Sequence, residues 1–197
     1  LSLYNLKAYA YRDPQIREQW EINVIQRPLI GDWQRKKQLS TLIDEIVAQE
    51  PNLVGFSCYM WNIQAFLDIA EEIHSRIPDV RILLGGPEIA TEYVKQSHFD
   101  KYVVDYCISG EGELTFLELL QHLENKSPAL TDIAGLSHRS KRDQLFTVNT
   151  KRTPFKSLTE IPSPFLEGVV DEEVLARKDV EANIETQRGC NLRCSYC

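Results

Sequence analysis

The 197-residue chain closes on Gln187-Arg188-Gly189-Cys190-Asn191-Leu192-Arg193-Cys194-Ser195-Tyr196-Cys197. Cys190, Cys194 and Cys197 form a C-x-x-x-C-x-x-C array. Three thiolates this close in one loop can hold one metal ion or cluster, and they leave it a ligand short. Iron–sulfur clusters are usually held by four cysteines, so a cubane with three protein ligands keeps one iron open to another molecule. Structural zinc is the competing use, but it favours two separated pairs of ligands, and no second Cys or Cys/His pair with that spacing exists. A disulfide framework fits poorly. Five cysteines in a chain with no secretory segment read as a reduced compartment, the cytoplasm.

The elements that would position such a loop alternate along the chain. Leu3, Leu6, Tyr9 and Ala10 have helical spacing, and Trp20–Ile25 reads as a strand. Helical periodicity covers Lys37–Gln49, Ile63–Ile77, Thr91–Gln96 and Glu111–Leu123. Pro51 and Pro78 stop the first two of these. Between them lie the apolar runs Asn52–Cys58, Val80–Leu84 and Val103–Ser109. Strands alternating with helices predict an α/β, doubly wound, flavodoxin- or Rossmann-like parallel sheet with helices on both faces. Near-continuous apolar strands suit burial on both sides. Such a domain normally opens with a strand, and this chain opens on helical spacing, so a first strand is expected to be missing. Ile133–Ser137 and Leu145–Val148 read as a hairpin, Lys151–Glu167 as a proline-bearing linker, and Asp171–Lys178 as a turn of helix. Val180–Thr186 reads as one more strand, directly before the cysteines. The expected division is residues 1–128, an α/β domain; 129–150, the hairpin; 151–179, the linker; and 180–197, the start of a second domain.

Composition excludes some functions. A net charge of −7 argues against a nucleic-acid surface, and no apolar run approaches the ~20 residues of a membrane helix. Arg35-Lys36-Lys37 and Arg139–Arg142 read as solvated faces. Buried-strand contexts make Cys58 and Cys107 core residues.

Open α/β sheets bind ligands at the carboxyl ends of their strands. Three loops occupy those ends: Ser57-Cys58-Tyr59-Met60-Trp61-Asn62, Gly85-Gly86-Pro87-Glu88 and Gly110-Glu111-Gly112-Glu113. Glycines there let the backbone approach a bulky ligand, and a strand-end serine can donate to a polar tail. The candidate contacts are Ser57, Tyr59, Met60, Trp61, Gly85, Gly86, Pro87, Glu88, Gly110, Glu111, Gly112 and Glu113. Taken singly, each loop also has a plain reading as a turn, a helix start or core.

The cysteine array resembles the cluster loop of the radical S-adenosylmethionine (SAM) enzymes. The serine, the Gly-Gly pair and the Gly-Glu-Gly-Glu resemble the cobalamin-binding domain that precedes it in one branch of that family. The resemblance covers nearly the whole chain. It implies a [4Fe–4S] cluster on Cys190, Cys194 and Cys197, with SAM on the open iron and Tyr196 near its adenine. It further implies a 5′-deoxyadenosyl radical, an external electron donor such as a flavodoxin or ferredoxin, and an unknown small-molecule substrate. The serine and glycines would line the channel for the cobalamin nucleotide tail. The resemblance implies methyl transfer through cobalamin to an unactivated carbon or, as the alternative, oxidative cyclisation, as in the anaerobic magnesium-protoporphyrin monomethyl ester cyclase, and the sequence does not choose between them. This stretch alone, which reads as a fragment of a longer enzyme, is expected to show no turnover.

One motif is missing. Many cobalamin domains carry Asp-x-His-x-x-Gly, whose histidine ligates cobalt, and none of His74, His98, His122 or His138 sits in that pattern. Either the loop that would carry it precedes Leu1, or cobalt here lacks a histidine ligand. A relative without corrinoid also remains open. A receiver-type signalling module needs an aspartate where Ser57-Cys58 stands, and an isolated corrinoid carrier would not need the cysteines.

Overall fold

The computed structural model of the chain describes residues 2–26, 32–95, 98–140, 144–170, 172–178 and 183–189. A five-stranded sheet runs in the order β1 (Leu53–Ser57), β2 (Arg81–Gly85), β3 (Tyr106–Ile108), β4 (Leu136–Arg139), β5 (Phe146–Val148). The first three strands are parallel, with Ser57 opposite Gly85, so their carboxyl ends share one edge. The predicted hairpin is present and continues this sheet, β4 pairing antiparallel with both β3 and β5.

Helices α1 (Ser2–Ala10), α2 (Pro14–Gln19) and α6 (Glu113–Asn125) lie on one face. Helices α3 (Asp32–Val47), α4 (Ile63–Arg76) and α5 (Thr91–Lys95) lie on the other. The alternation of β2 feeds both layers. Ile82 and Leu84 pack with Ile46, Leu67 and Ile73, while Leu83 packs with Ala10, Ile16 and Leu119. Both faces of a parallel strand are thus buried, and truncating a fully buried Leu84 to alanine would cost about 2–5 kcal/mol. The doubly wound fold expected from the sequence is the fold observed.

Local chemistry sets the ends of α2 and α6. Asp13 caps α2, its Oδ1 accepting from the Gln15 and Ile16 amides at 2.9 and 3.2 Å, with Pro14 in the first turn. Its Oδ2 accepts from Gln121 at 2.7 Å, tying the α1–α2 corner to the lower half of α6. Lys126 ends α6 in the left-handed conformation. A four-residue α7 (Glu172–Leu175) falls inside the predicted turn of helix.

Several expectations need correction. Trp20–Ile25 is strand-like in composition, but it joins no ladder. It lines the same cleft as β1, the edge strand of the sheet, without pairing to it. The second predicted run, Val180–Thr186, shows no strand over 183–186, and 180–182 lie outside the described residues. Arg139 is no solvated cation. Its guanidinium donates to the carbonyls of Phe99, Asp100, Tyr102, Val104 and Gln144, pinning the loop before β3 to the hairpin. The side chains of Arg35, Lys36 and Lys37 lie outside the described residues. The extended segment after Lys151 is docked rather than free. Arg152 bonds Thr115 Oγ1, the Ala134 carbonyl and Glu118, and Phe155 packs on Tyr9 at 5.5 Å between ring centroids.

Candidate functional site

The three strand-end loops meet at the carboxyl edge, on a continuous cleft of ≈ 2440 Å³ that also runs along β1. Ser57 ends β1, half-buried. Asn62 braces the loop after it, donating to the Ser57 carbonyl at 3.2 Å and accepting from the Tyr59 amide at 2.7 Å. Tyr59 and Trp61 stack, with centroids 4.7 Å apart and rings 14° from parallel. Met60 and Trp61 are 77% and 61% exposed, so this loop is an apolar lip and not core.

Gly85 and Gly86 divide the work of the second loop. Cys58 continues the ladder past β1, donating from its amide to the Gly85 carbonyl at 2.6 Å. Its carbonyl accepts from the Glu88 amide at 3.2 Å. Gly86 sits against that connection at φ +100°, where an added Cβ would fall 2.6 Å from the Cys58 carbonyl oxygen. Only glycine fits there. A Cβ on Gly85, by contrast, would meet nothing within 4 Å, so that backbone faces open space. Pro87 is exposed and Glu88 half-buried beside them. Burial pushes the Cys58 thiol up to about 12, partly opposed by its bond with Gly85, and it also raises Cys107, so both are inert core thiols at neutral pH.

The third loop is charged. Gly110, at φ +85°, also faces open space. Gly112 packs under Leu6 of α1, and Glu113 opens α6 almost fully buried. Glu111 accepts from the Phe155 amide at 2.8 Å. Both carboxylates converge on Arg188, which lies 2.5 Å from Glu113, 3.9 Å from Glu111 and 3.0 Å from Glu185. Burial lowers the arginine pKa, and the carboxylates outweigh that and raise it. Ser109, at the carboxyl end of β3, has a buried hydroxyl with no partner among the described residues. It escaped the sequence reading, although the strand-end argument that selected Ser57 applies equally to it.

Cys190, Cys194, Cys197 and Tyr196 lie outside the described residues, and the segment that leads to them does not. Gln187, Arg188 and Gly189 line the strand-end cleft. Among the described residues no group of three or more His, Cys, Asp or Glu could hold a metal ion. No histidine lines this cleft. His74 is in α4, His122 in α6 and His138 in β4. Burial and the nearby His122 lower the pKa of His138. No described helix is long and apolar enough to cross a membrane.

Three features leave this face open to a bulky ligand. Two glycine backbones open onto it without side chains, an unpartnered buried hydroxyl points to a polar group not yet met, and an aromatic lip stands exposed beside them. The fold is an α/β domain of the doubly wound class, whose members bind ligands at the strand carboxyl ends. The B12 binding domain family matches residues 16–120, more than half the chain. The chain belongs to that family. It is 32% identical over 197 residues to the cobalamin-dependent radical SAM methyltransferase TokK of Streptomyces tokunonensis. It is 28% identical over 199 residues to the 2-(S-pantetheinyl)-carbapenam-3-carboxylate methyltransferase of Streptantibioticus cattleyicolor. Each match takes in 98% of this chain and 27% of the relative, so the chain spans about a quarter of their length. Its fold is similar to that of the cobalamin-dependent SAM radical enzyme OxsB, solved with aqua-cobalamin and SAM bound. The TM-score is 0.61 at 22% identity, over 86% of this chain and 22% of OxsB.

Proposed function

We propose that this chain is the cobalamin-binding region of a radical SAM methyltransferase. The observation that carries the reading is the carboxyl edge of the sheet, where Gly85 and Gly110 leave open backbone while Arg188 draws the approach to the cysteine loop onto the same face. Two cofactor sites on one face are what a reaction between them requires. Ser57, Ser109 and the glycines would hold the polar tail, and Tyr59, Met60 and Trp61 would cover apolar surface of the macrocycle. Cys190, Cys194 and Cys197 would hold a [4Fe–4S] cluster, and Tyr196 would pack near SAM. When bound, the cluster with SAM supplies a 5′-deoxyadenosyl radical and cobalamin supplies the methyl group.

The protein's share is placement and exclusion of water. The cleft supplies no histidine, so cobalt here is expected to carry no histidine ligand from the described residues. The whole enzyme would act in the cytoplasm on a small molecule, with an external electron donor and without nucleic acid or membrane. The names of the relatives favour methyl transfer over oxidative cyclisation.

The test is retention of hydroxocobalamin. The chain is mixed with excess corrinoid without oxygen and passed through a sizing column, and cobalt is counted. Roughly one cobalt per chain is expected, as for one preformed cofactor site. Gly85→Leu should abolish retention by filling open space while leaving the melting temperature close to wild type. A wild-type chain that emerges without cobalt refutes the reading.

A further inference from the structure

We infer that Arg188 is a positioning residue: with Glu113 it latches the root of the cysteine loop to the loop that follows β3. The inference rests on the proposed function for its meaning, and on geometry alone for its existence. One guanidinium faces three carboxylates, Glu113 at 2.5 Å, Glu185 at 3.0 Å and Glu111 at 3.9 Å. Side-chain exposure is 17% for Arg188 and 5% for Glu113, so this is no surface pair. Surface pairs contribute little, whereas removing one partner of a buried pair strands a charge. Among the described residues no other cation pairs with Glu113, and its second oxygen is buried without a partner. Loss of Arg188 would leave Glu113 beside Glu111 and Glu185 with nothing to hold them together.

Both ends of the latch bear on cofactor groups. Glu113 opens α6 within the Gly110–Glu113 loop, while Glu111 also holds the Phe155 amide of the docked linker. Arg188 stands two residues before Cys190, so at most about 7 Å of backbone separates their Cα atoms. Gly189 intervenes at φ +78° with no neighbour near its Cβ position, giving a turn from the fixed arginine into the thiolate loop. Fixing Arg188 therefore anchors the chain just ahead of Cys190 at the strand-end face. Linker, α6 and the residues that lead to the cysteines meet in one cluster of charges.

The latch can be tested without any cofactor. Cleavage after Glu185 by a glutamate-specific protease reports opening of 183–189 when reclosing is fast. Arg188→Ala and Glu113→Gln are each expected to raise that rate about tenfold, the scale of a lost charge-assisted bond, and the double variant no further. Arg188→Lys should recover only part, since an ammonium cannot reach Glu113 and Glu111 as a fork. Unchanged cleavage in both single variants overturns the latch. Its meaning is tested on the chain loaded with iron, sulfide and hydroxocobalamin and then reduced. Spin–spin coupling between cluster and Co(II) is expected in wild type and lost in Arg188→Ala at unchanged iron and cobalt content. Coupling retained in that variant overturns the positioning role. Wild-type chain that loads neither cofactor refutes the proposed function, while the proteolysis result still decides the latch.

Discussion

Gly86 and Gly85 are adjacent and chemically identical, yet the structure assigns them opposite sensitivities. An alanine at Gly86 has to hold φ near +100°, and its Cβ falls 2.6 Å from the Cys58 oxygen and 2.8 Å from the Cys58 nitrogen. Left-handed backbone costs roughly 1–2 kcal/mol for a residue with a Cβ. The collision is with backbone, so Cys58 has to move. It then strains its bonds to Gly85 at 2.6 Å and Glu88 at 3.2 Å, each worth about 1 kcal/mol. The sum is ~3 kcal/mol. At about 2–4 °C per kcal/mol for a chain of this size, Gly86→Ala should melt some 6–12 °C below wild type. Gly85→Ala meets nothing within 4 Å and should stay within ~0.5 kcal/mol of wild type. Thermal and urea unfolding followed by circular dichroism would read both. Equal melting temperatures for the two variants, or a Gly86→Ala protein indistinguishable from wild type, would refute the account of this turn.

Two further outcomes follow from buried polar groups. Arg139→Met keeps the aliphatic stem but loses the guanidinium that lies over Phe146 and strips five carbonyls of their donor, so stability from urea unfolding should fall by about 3 kcal/mol, and a loss under ~1 kcal/mol would contradict the pinning role. His138 has its pKa lowered by burial, so between the folded value and the unfolded value of about 6.5 the unfolded chain binds the extra proton. Its contribution is present above that unfolded value and is lost as pH falls below it. Stability measured from pH 7.5 to pH 5.5 should therefore decline, and His138→Gln should flatten that decline; a slope unaltered in the variant would show that another group causes it.

How much was legible in the sequence varied with how local the cause was. Helices with a strong apolar stripe, such as α4 and α6, and strands with continuous apolar runs, such as β2, were readable because their own residues decide them. Trp20–Ile25 was misread for the complementary reason: alternation makes a segment fit to pair, but a strand exists only where a neighbour supplies the other half of the ladder. The third strand shrank from Val103–Ser109 to Tyr106–Ile108, as Val103 and Val104 belong instead to the loop that Arg139 gathers. At the site, the loops and their glycines were legible from strand-end logic. Their division of labour was not, because the sign of φ and the distance from Gly86 to Cys58 are set by the parallel register of Ser57 with Gly85. Arg188 looked like part of the cysteine motif alone, since nothing local brings Glu111 to it, or Glu113 from 75 residues away.

The charge pattern of the strand-end face separates this domain from other doubly wound binders. In a dinucleotide-binding sheet the helix after a glycine-rich turn offers free amides to a pyrophosphate. Here the comparable helix start on α6 carries Glu113 in its first turn, with Glu111 just ahead of it and Arg188 closing over both. Lys151, also lining this cleft, lies 3.5 Å from Glu92, and Arg152 is bonded to Thr115 and Glu118. An incoming polyanion would meet paired cations and a carboxylate at the helix start. A large ligand rimmed by neutral hydrogen-bonding groups would meet open glycine backbone, the Ser57 and Ser109 hydroxyls and the Tyr59–Trp61 lip. That acidic loop is also what Arg188 grips. The acidic start of α6 and the grip on Arg188 thus share one short run of residues, Gly110–Glu113, and a substitution at Glu113 should disturb both.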